Sequence, residues 1–271
     1  LRTIMIVTDM DGTLLTADQQ ISEENRAAIK RFQDAGGMFT LATGRMEASV
    51  RPFIEKIRLN TPMILYNGAK IYCPVTQTAL YEQGLRLPRH VWQCYLDLLQ
   101  EDVGLLLYQQ GKVYTPWVNK IVTEHEKKDS VICGALEHAS LDEEVTKLLI
   151  ISDNPERLKQ FELATVASGL PLDFVYSEVN YLEILPEGVS KGTALKKLVS
   201  LYPFPIYTIA VGDNLNDVTM IQTADKGVAV ENAHPKLKKI ADEITVHHEQ
   251  HAIAKIIDDL LKQIEKTERS S

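Results

Sequence analysis

Residues 4–15 read Ile4-Met5-Ile6-Val7-Thr8-Asp9-Met10-Asp11-Gly12-Thr13-Leu14-Leu15. An unbroken apolar run of four residues has the pattern of a strand covered on both faces, as parallel sheets require. It runs out into two acids one residue apart and then into Gly12-Thr13, a sharp polar exit turn. In an open α/β sheet ligands bind at the carboxyl ends of the strands, where Asp9 and Asp11 would stand.

Working outward, the same rhythm of short β-branched runs and amphipathic segments recurs. A helix capped by Ser22 turns Ile29 and Phe32 inward and stops at Gly36-Gly37, before a strand over Met38 to Ala42. A helix from about Met46 to Arg58 and a third strand, Met63 to Tyr66, complete the repeat. The pattern returns late as a helix over Lys191 to Leu201, a strand over Tyr207 to Val211, a helix over Leu215 to Ala224 and a strand over Gly227 to Val230. In the last helix Ile253, Ile256, Ile257, Leu260, Leu261 and Ile264 form a core-facing stripe. Between these halves the pattern changes. Helical segments over Val91 to Leu99 and Pro155 to Ala167 alternate with strand-like pieces, Leu105 to Gln109 and Lys147 to Ser152. The expectation is an α/β, Rossmann-like core with a mainly parallel sheet, residues 1–82 and 187–271, into which an α+β domain, residues 83–186, is inserted.

The composition sets outer bounds. With 271 residues, 45% hydrophobic and 24% charged, the chain is an ordinary globular protein rather than a disordered or coiled-coil one. Its 29 Lys and Arg against 37 Asp and Glu leave a net charge of -8, which disfavours a general grip on nucleic acid or an anionic membrane. No apolar run reaches the roughly 20 residues of a membrane span. Cys73, Cys94 and Cys133 are far apart and odd in number, so they are read as reduced and structural, in a cytoplasmic protein.

Chemistry concentrates at a few strand ends. A carboxylate such as Asp9 can attack phosphorus, and Asp11 can protonate a leaving oxygen and then activate water, given a pKa tuned away from its free value. A bare Asp-Gly turn is the plain alternative. A calcium loop would need a glutamate where Gln20 stands. Val211-Gly212-Asp213-Asn214-Leu215-Asn216-Asp217 brings further acids to the same edge. Two like charges about 4 Å apart repel by on the order of 4 kcal/mol at an effective dielectric of 20, so converging Asp9, Asp11 and Asp213 call for a cation. Oxygen ligation beside a phosphate suits magnesium. Thr43-Gly44-Arg45 follows a strand and offers a hydroxyl and an amide to an anion. Lys191 can place an ammonium on a phosphoryl oxygen. Asn67-Gly68 reads as a hairpin turn, with Asn67 a candidate site wall.

The joint order of acid pair, threonine, lysine and second acid cluster resembles the haloacid dehalogenase superfamily of aspartate-nucleophile phosphatases. Glu183-Ile184-Leu185-Pro186 running into Gly188-Val189-Ser190-Lys191-Gly192 is similar to its Cof-type subfamily, IIB, with a large α+β cap. The resemblance spans nearly the whole chain. It implies Asp9 as nucleophile and Asp11 as general acid/base. It implies Mg2+ on the Asp9 carboxylate, the Asp11 backbone carbonyl and Asp213, and phosphoryl contacts from the Met10 backbone, Thr43, Gly44, Lys191 and Asn216. Asp217 is implied as a support.

The expected activity is hydrolysis of small soluble phosphate monoesters through an aspartyl-phosphate. The resemblance implies sugar phosphates and, more distantly, pyridoxal phosphate, flavin mononucleotide and other nucleotide-like esters. A phosphomutase of the same superfamily is the alternative, and a phospho-accepting signalling module a more distant one. The cap would choose among substrates, but its sequence does not mark the residues that do so, and nothing in it speaks to oligomeric state. His247-His248-Glu249-Gln250-His251 departs from the subfamily pattern. Its spacing matches no zinc site, so a solvated loop is expected. Trp92, Trp117 and the tyrosines of the middle segment are read as core rather than as ring contacts for a substrate.

Overall fold

A computed structural model describes residues 3–269. Its first part comprises β1 (Thr3–Thr8), α1 (Glu23–Asp34), β2 (Met38–Leu41), α2 (Glu47–Lys56), β3 (Met63–Leu65), β4 (Lys70–Cys73) and β5 (Thr78–Glu82). A middle segment follows with α3 (Arg89–Asp97), β6 (Gly104–Gln109), β7 (Lys112–Thr115), α4 (Lys120–Asp129), β8 (Cys133–Ala135), β9 (Lys147–Ile151), α5 (Pro155–Ala167), β10 (Leu172–Glu178) and β11 (Tyr181–Pro186). The last part holds α6 (Lys191–Ser200), β12 (Ile206–Gly212), α7 (Val218–Thr223), β13 (Lys226–Ala229), α8 (Pro235–Lys238), β14 (Glu243–Ile244) and α9 (Ala252–Arg269).

The first and last parts share one parallel sheet in the order β14-β13-β12-β1-β2. Met5, Ile6 and Val7 of β1 are fully buried, as a strand covered on both faces demands. From β1 the chain moves to β2 on one side and later returns to β12 on the other, which opens a crevice at the carboxyl end of β1. The register aligns what emerges there. Thr8 pairs with Val211 and with Leu41, so Asp9, the residues after β12 and those after β2 leave the sheet at one level. Ser22 caps α1 by accepting from Asn25 N, and α1 packs against α9, whose Ile253 and Ile257 are fully buried.

Two elements differ from the sequence expectation. β3 is not a full member of the parallel sheet. It makes one parallel bridge, Ala42 to Ile64, and then belongs to a separate antiparallel sheet, β3-β4-β5. Tyr66 and Asn67, at φ 51 and 52, reverse the chain after only three strand residues. The helix expected over Leu215 to Ala224 is a 3-10 turn, Leu215–Asp217, followed by α7. There the Asp217 carboxylate accepts from the Asp213 and Asn214 amides and captures the chain in a capping turn.

The middle segment builds a second, six-stranded sheet, β10-β11-β9-β6-β7-β8, antiparallel except at β7–β8. Its central strands read Gly-Leu-Leu-Leu-Tyr-Gln and Lys-Leu-Leu-Ile-Ile because each face meets a different core. Leu105, Leu107, Leu148 and Ile150 pack with Trp92, Tyr95 and Phe161 of α3 and α5. Leu106, Tyr108, Leu149 and Ile151 point the other way and join the core shared with the parallel sheet. This two-residue alternation seats the middle segment on the crevice. Trp92 is core as expected, whereas Trp117 is half exposed. All three cysteines are free thiols, but Cys94 is exposed and contributes little packing. Among the described residues no helix is long and apolar enough to cross a membrane.

Candidate active site

Asp9 follows β1 directly, and its backbone N–H donates to Val211 O at 2.9 Å, which fixes the strand end. Its Oδ1 accepts from Lys191 Nζ at 2.6 Å. The same ammonium donates to Asp217 Oδ1 at 2.7 Å and is wholly buried at the start of α6. Asp213 leaves the end of β12 and accepts from Thr13 Oγ1 at 3.0 Å. Carboxylate oxygens of Asp9, Asp213 and Asp217 lie within 4.8 Å of one another. Gly12 makes this convergence sterically feasible: it sits at φ 74, and a Cβ there would meet Asp213 Oδ2 at 2.5 Å.

The charges respond to this crowding. Burial raises the Asp9 pKa to about 7, with Lys191 opposing and the charges of Asp217 and Asp11 reinforcing the rise. Burial, then Asp9 and Asp217, push Asp213 well above the ordinary carboxylate range. One ammonium therefore does not balance the three crowded carboxylates. Asp11 behaves differently. Burial works to raise it, but hydrogen bonds and charge from Arg45 prevail and hold it below its ordinary value. The guanidinium grips it as a fork, Nε to Oδ2 at 2.8 Å and Nη2 to Oδ1 at 2.7 Å. The Asp11 carboxylate thus stands apart from the other three.

The Thr43-Gly44-Arg45 strap lies beside these acids. Thr43 Oγ1 accepts from Arg45 N at 3.1 Å, and among the described residues the Gly44 N–H has no hydrogen-bond partner. Asn216 Nδ2 donates to Asn67 Oδ1 at 3.0 Å, while Asn216 Oδ1 and Asn67 Nδ2 are buried and unpartnered. Asn67 thus stands behind Asn216, which lines the cavity, and is not itself part of the wall. The Met10 side chain is fully buried in the core, leaving only its backbone to face a ligand. Asp9, Met10, Asp11, Thr43, Gly44, Lys191, Asp213 and Asn216 all gather at this edge of the sheet.

The middle segment covers them and leaves a cavity of about 290 Å³. The sequence reading missed its roof, His125, Lys128 and Asp129 of α4 and Glu178, Tyr181 and Glu183 of β10 and β11. His125 is buried between Tyr108 OH at 2.9 Å and Tyr181 OH at 3.2 Å. Burial lowers its pKa, so the imidazole is neutral. Asn214 Nδ2 donates to Ser177 O at 2.8 Å and ties the roof to the parallel sheet.

The sequence matches the family model of haloacid dehalogenase-like hydrolases over residues 6–257. The chain belongs to the haloacid dehalogenase-like hydrolases. It is 29% identical over 296 residues to the 5-amino-6-(5-phospho-D-ribitylamino)uracil phosphatase YwtE of Bacillus subtilis, an alignment covering 94% of this chain and 97% of that one. It is 27% identical to the pyridoxal phosphate phosphatase YbhA of Escherichia coli, over 94% of this chain and 97% of that one. The crystal structure of a haloacid dehalogenase-like hydrolase from Bacteroides thetaiotaomicron superposes with a TM-score of 0.82 at 28% identity, covering 96% of this chain and all of that chain. Within this family the chain is an enzyme of the phosphoric monoester hydrolase class.

The histidine run of this hydrolase is a clasp rather than a solvated loop. His248 Nδ1 meets Leu15 O at 2.7 Å and His251 Nδ1 meets Ser22 Oγ at 3.0 Å. His247 caps its own turn by accepting from Glu249 N. Asn232 extends the clasp by donating to Gly12 O at 2.7 Å while accepting from His248 N. His248 and Asn232 therefore brace the turn that carries Asp11 and Gly12, while His251 ties the run to the start of α1.

Proposed function

We propose that the chain is a magnesium-dependent cytoplasmic phosphatase of small, hydroxyl-rich phosphate monoesters that works through an aspartyl-phosphate on Asp9, with residues 83–186 as the specificity cap. The observation that carries this reading is Asp9, anchored by Lys191 at the floor of a roofed polar cavity, with Asp11 two residues away. Asp9 and Asp213, both with raised pKa values, form with Asp217 an oxygen-only trio that fits a hard divalent cation. Asp9 and Asp213 would hold Mg2+ with the Asp11 carbonyl, and Asp217 would stay bound to Lys191 and the Asp213 and Asn214 amides. The ion would supply charge neutralisation between an anionic ester and an anionic nucleophile.

In the first step an Asp9 oxygen forms a bond to phosphorus and the bond from phosphorus to the leaving oxygen breaks. Asp11 gives that oxygen its proton. In the second step Asp11 takes a proton from water, the water oxygen attacks phosphorus, and the bond to Asp9 breaks to release phosphate. Thr43 Oγ1, the Gly44 N–H, the Met10 backbone and Asn216 hold the phosphoryl oxygens, and Lys191 keeps Asp9 in place. The Arg45 fork favours the ionised Asp11 carboxylate, so the fork loosens and Asp11 takes up a proton from solvent before it donates that proton to the leaving oxygen.

The polar roof, with His125, Lys128, Asp129 and Glu178, favours hydroxyl groups on the leaving group. A volume of about 290 Å³ lies at the small end of small-molecule sites, which favours a sugar phosphate over an ester as large as flavin mononucleotide. The named activities of the relatives, on a ribitylaminouracil phosphate and on pyridoxal phosphate, support a compact polar monoester. The test is phosphate release from a panel of sugar phosphates, pyridoxal phosphate, flavin mononucleotide and nucleotides, with magnesium or excess chelator. Release should require magnesium, need no bisphosphate activator and vanish in Asp9→Asn. Turnover in chelator, or in that variant, overturns the reading.

A further inference from the structure

The segment above the crevice touches the phosphate strap through a buried ion pair. Lys147, at the start of β9, and Glu183, in β11, are each about 3% exposed and join at 2.8 Å between Nζ and Oε2. The same Lys147 Nζ donates to Gly44 O at 2.7 Å and stands 4.6 Å from the centre of the Tyr108 ring. Glu183 occupies the space beside the same residue. A Cβ on Gly44 would meet Glu183 Oε1 at 2.9 Å and Asn67 Nδ2 at 3.0 Å, so a larger residue there would have to displace the Glu183 carboxylate. Both charged side chains border the cavity, although neither lies on the parallel sheet.

We propose that Lys147 and Glu183 are a positioning pair that seats the middle segment on Gly44 and thereby aims the unpartnered Gly44 N–H at a bound phosphate. With its carbonyl held by Lys147 and its Cα backed by Glu183, the Gly44 backbone has little freedom to turn. Its N–H is then preorganised for an incoming oxygen instead of being ordered during binding. The pair acts through Gly44 and makes no bond in the reaction. This inference rests on the reading of the cavity as a phosphate site.

The test compares the wild type with Lys147→Met/Glu183→Leu. That variant replaces both charges with apolar groups of similar size, because removing one partner alone would leave a buried unpaired charge. Lys147→Met is run beside it. Binding of inorganic phosphate in the presence of magnesium is measured by calorimetry, together with magnesium affinity, melting temperature, and KM and kcat on p-nitrophenyl phosphate. The double variant is expected to melt like the wild type and bind magnesium equally well. Its phosphate affinity should fall tenfold or more, with a matching rise in KM and a smaller change in kcat. Wild-type phosphate affinity in the double variant overturns the pairing, as does a loss that follows magnesium affinity or the folded fraction. So does a wild type that binds no phosphate. If the wild type binds phosphate yet hydrolyses no ester, the catalytic reading fails, and the phosphate affinities still decide the role of the pair.

Discussion

Raising the pH of the metal-free enzyme from 4 to 8 should destabilise it, against the usual behaviour of paired carboxylates. Burial moves Asp9 from its ordinary 3.8 to about 7 in the fold, with Lys191 opposing and Asp217 and Asp11 adding to the rise. Between those values the native state holds a proton that the unfolded chain has released, so stability falls as pH climbs through this window. A displacement of roughly three pH units corresponds to about 4 kcal/mol, a large share of a typical stability of about 5–15 kcal/mol. Asp213 is raised in the same sense, whereas Asp11, held low by Arg45, contributes a term of opposite sign at lower pH. The assay is urea unfolding in excess chelator at a series of pH values, for the wild type and for Asp9→Asn, whose amide carries no titrating proton. The wild type should lose on the order of 4 kcal/mol relative to the variant between pH 4 and 8, and magnesium should abolish that loss. Parallel curves for the two proteins in chelator would refute the claim that Asp9 is ionised at a cost in the empty cluster.

Other substitutions probe separate parts of the site. Asp11→Asn should slow hydrolysis of alkyl phosphates by about 10²–10⁴ while sparing p-nitrophenyl phosphate, whose leaving group needs no proton; equal losses on both would remove Asp11 as the acid. Gly12→Ala places a Cβ 2.5 Å from Asp213 Oδ2 at a positive φ, so it should cost about 1–3 kcal/mol in urea unfolding and raise the magnesium concentration for half-activity. An unchanged magnesium requirement would separate that turn from the metal. His248→Ala breaks the bond to Leu15 O and should destabilise the fold by about 1 kcal/mol without altering zinc affinity in calorimetry; a lost zinc site would reverse the reading of the clasp.

Much of the architecture is legible locally. A four-residue apolar run followed by Asp9-Met10-Asp11-Gly12 marks a strand and its exit turn, and the register of β1 with β2 and β12 then brings Thr43 and Asp213 level with it. The hairpin at Asn67-Gly68 was legible, but the sheet to which β3 belongs was not, because a three-residue apolar run does not reveal its partner. α4 escaped notice because its buried face is only Val122 and His125 in an otherwise charged stretch, too thin a stripe to show helical period.

Sequence alone singled out the acid pair, the Thr43-Gly44-Arg45 strap, the lysine and the second acid cluster, since each rides on a strand end or helix start whose local pattern identifies it. Only the tertiary structure decided that Asp11 is held by Arg45, that α4 and β11 roof the cavity, and that Lys147 meets Glu183 above Gly44. Those contacts join residues tens of positions apart across two sheets. Their chemistry depends on distance and burial, and local pattern encodes neither: the same lysine on an exposed face would be a solvated charge, while here it is held between a carboxylate and a peptide carbonyl.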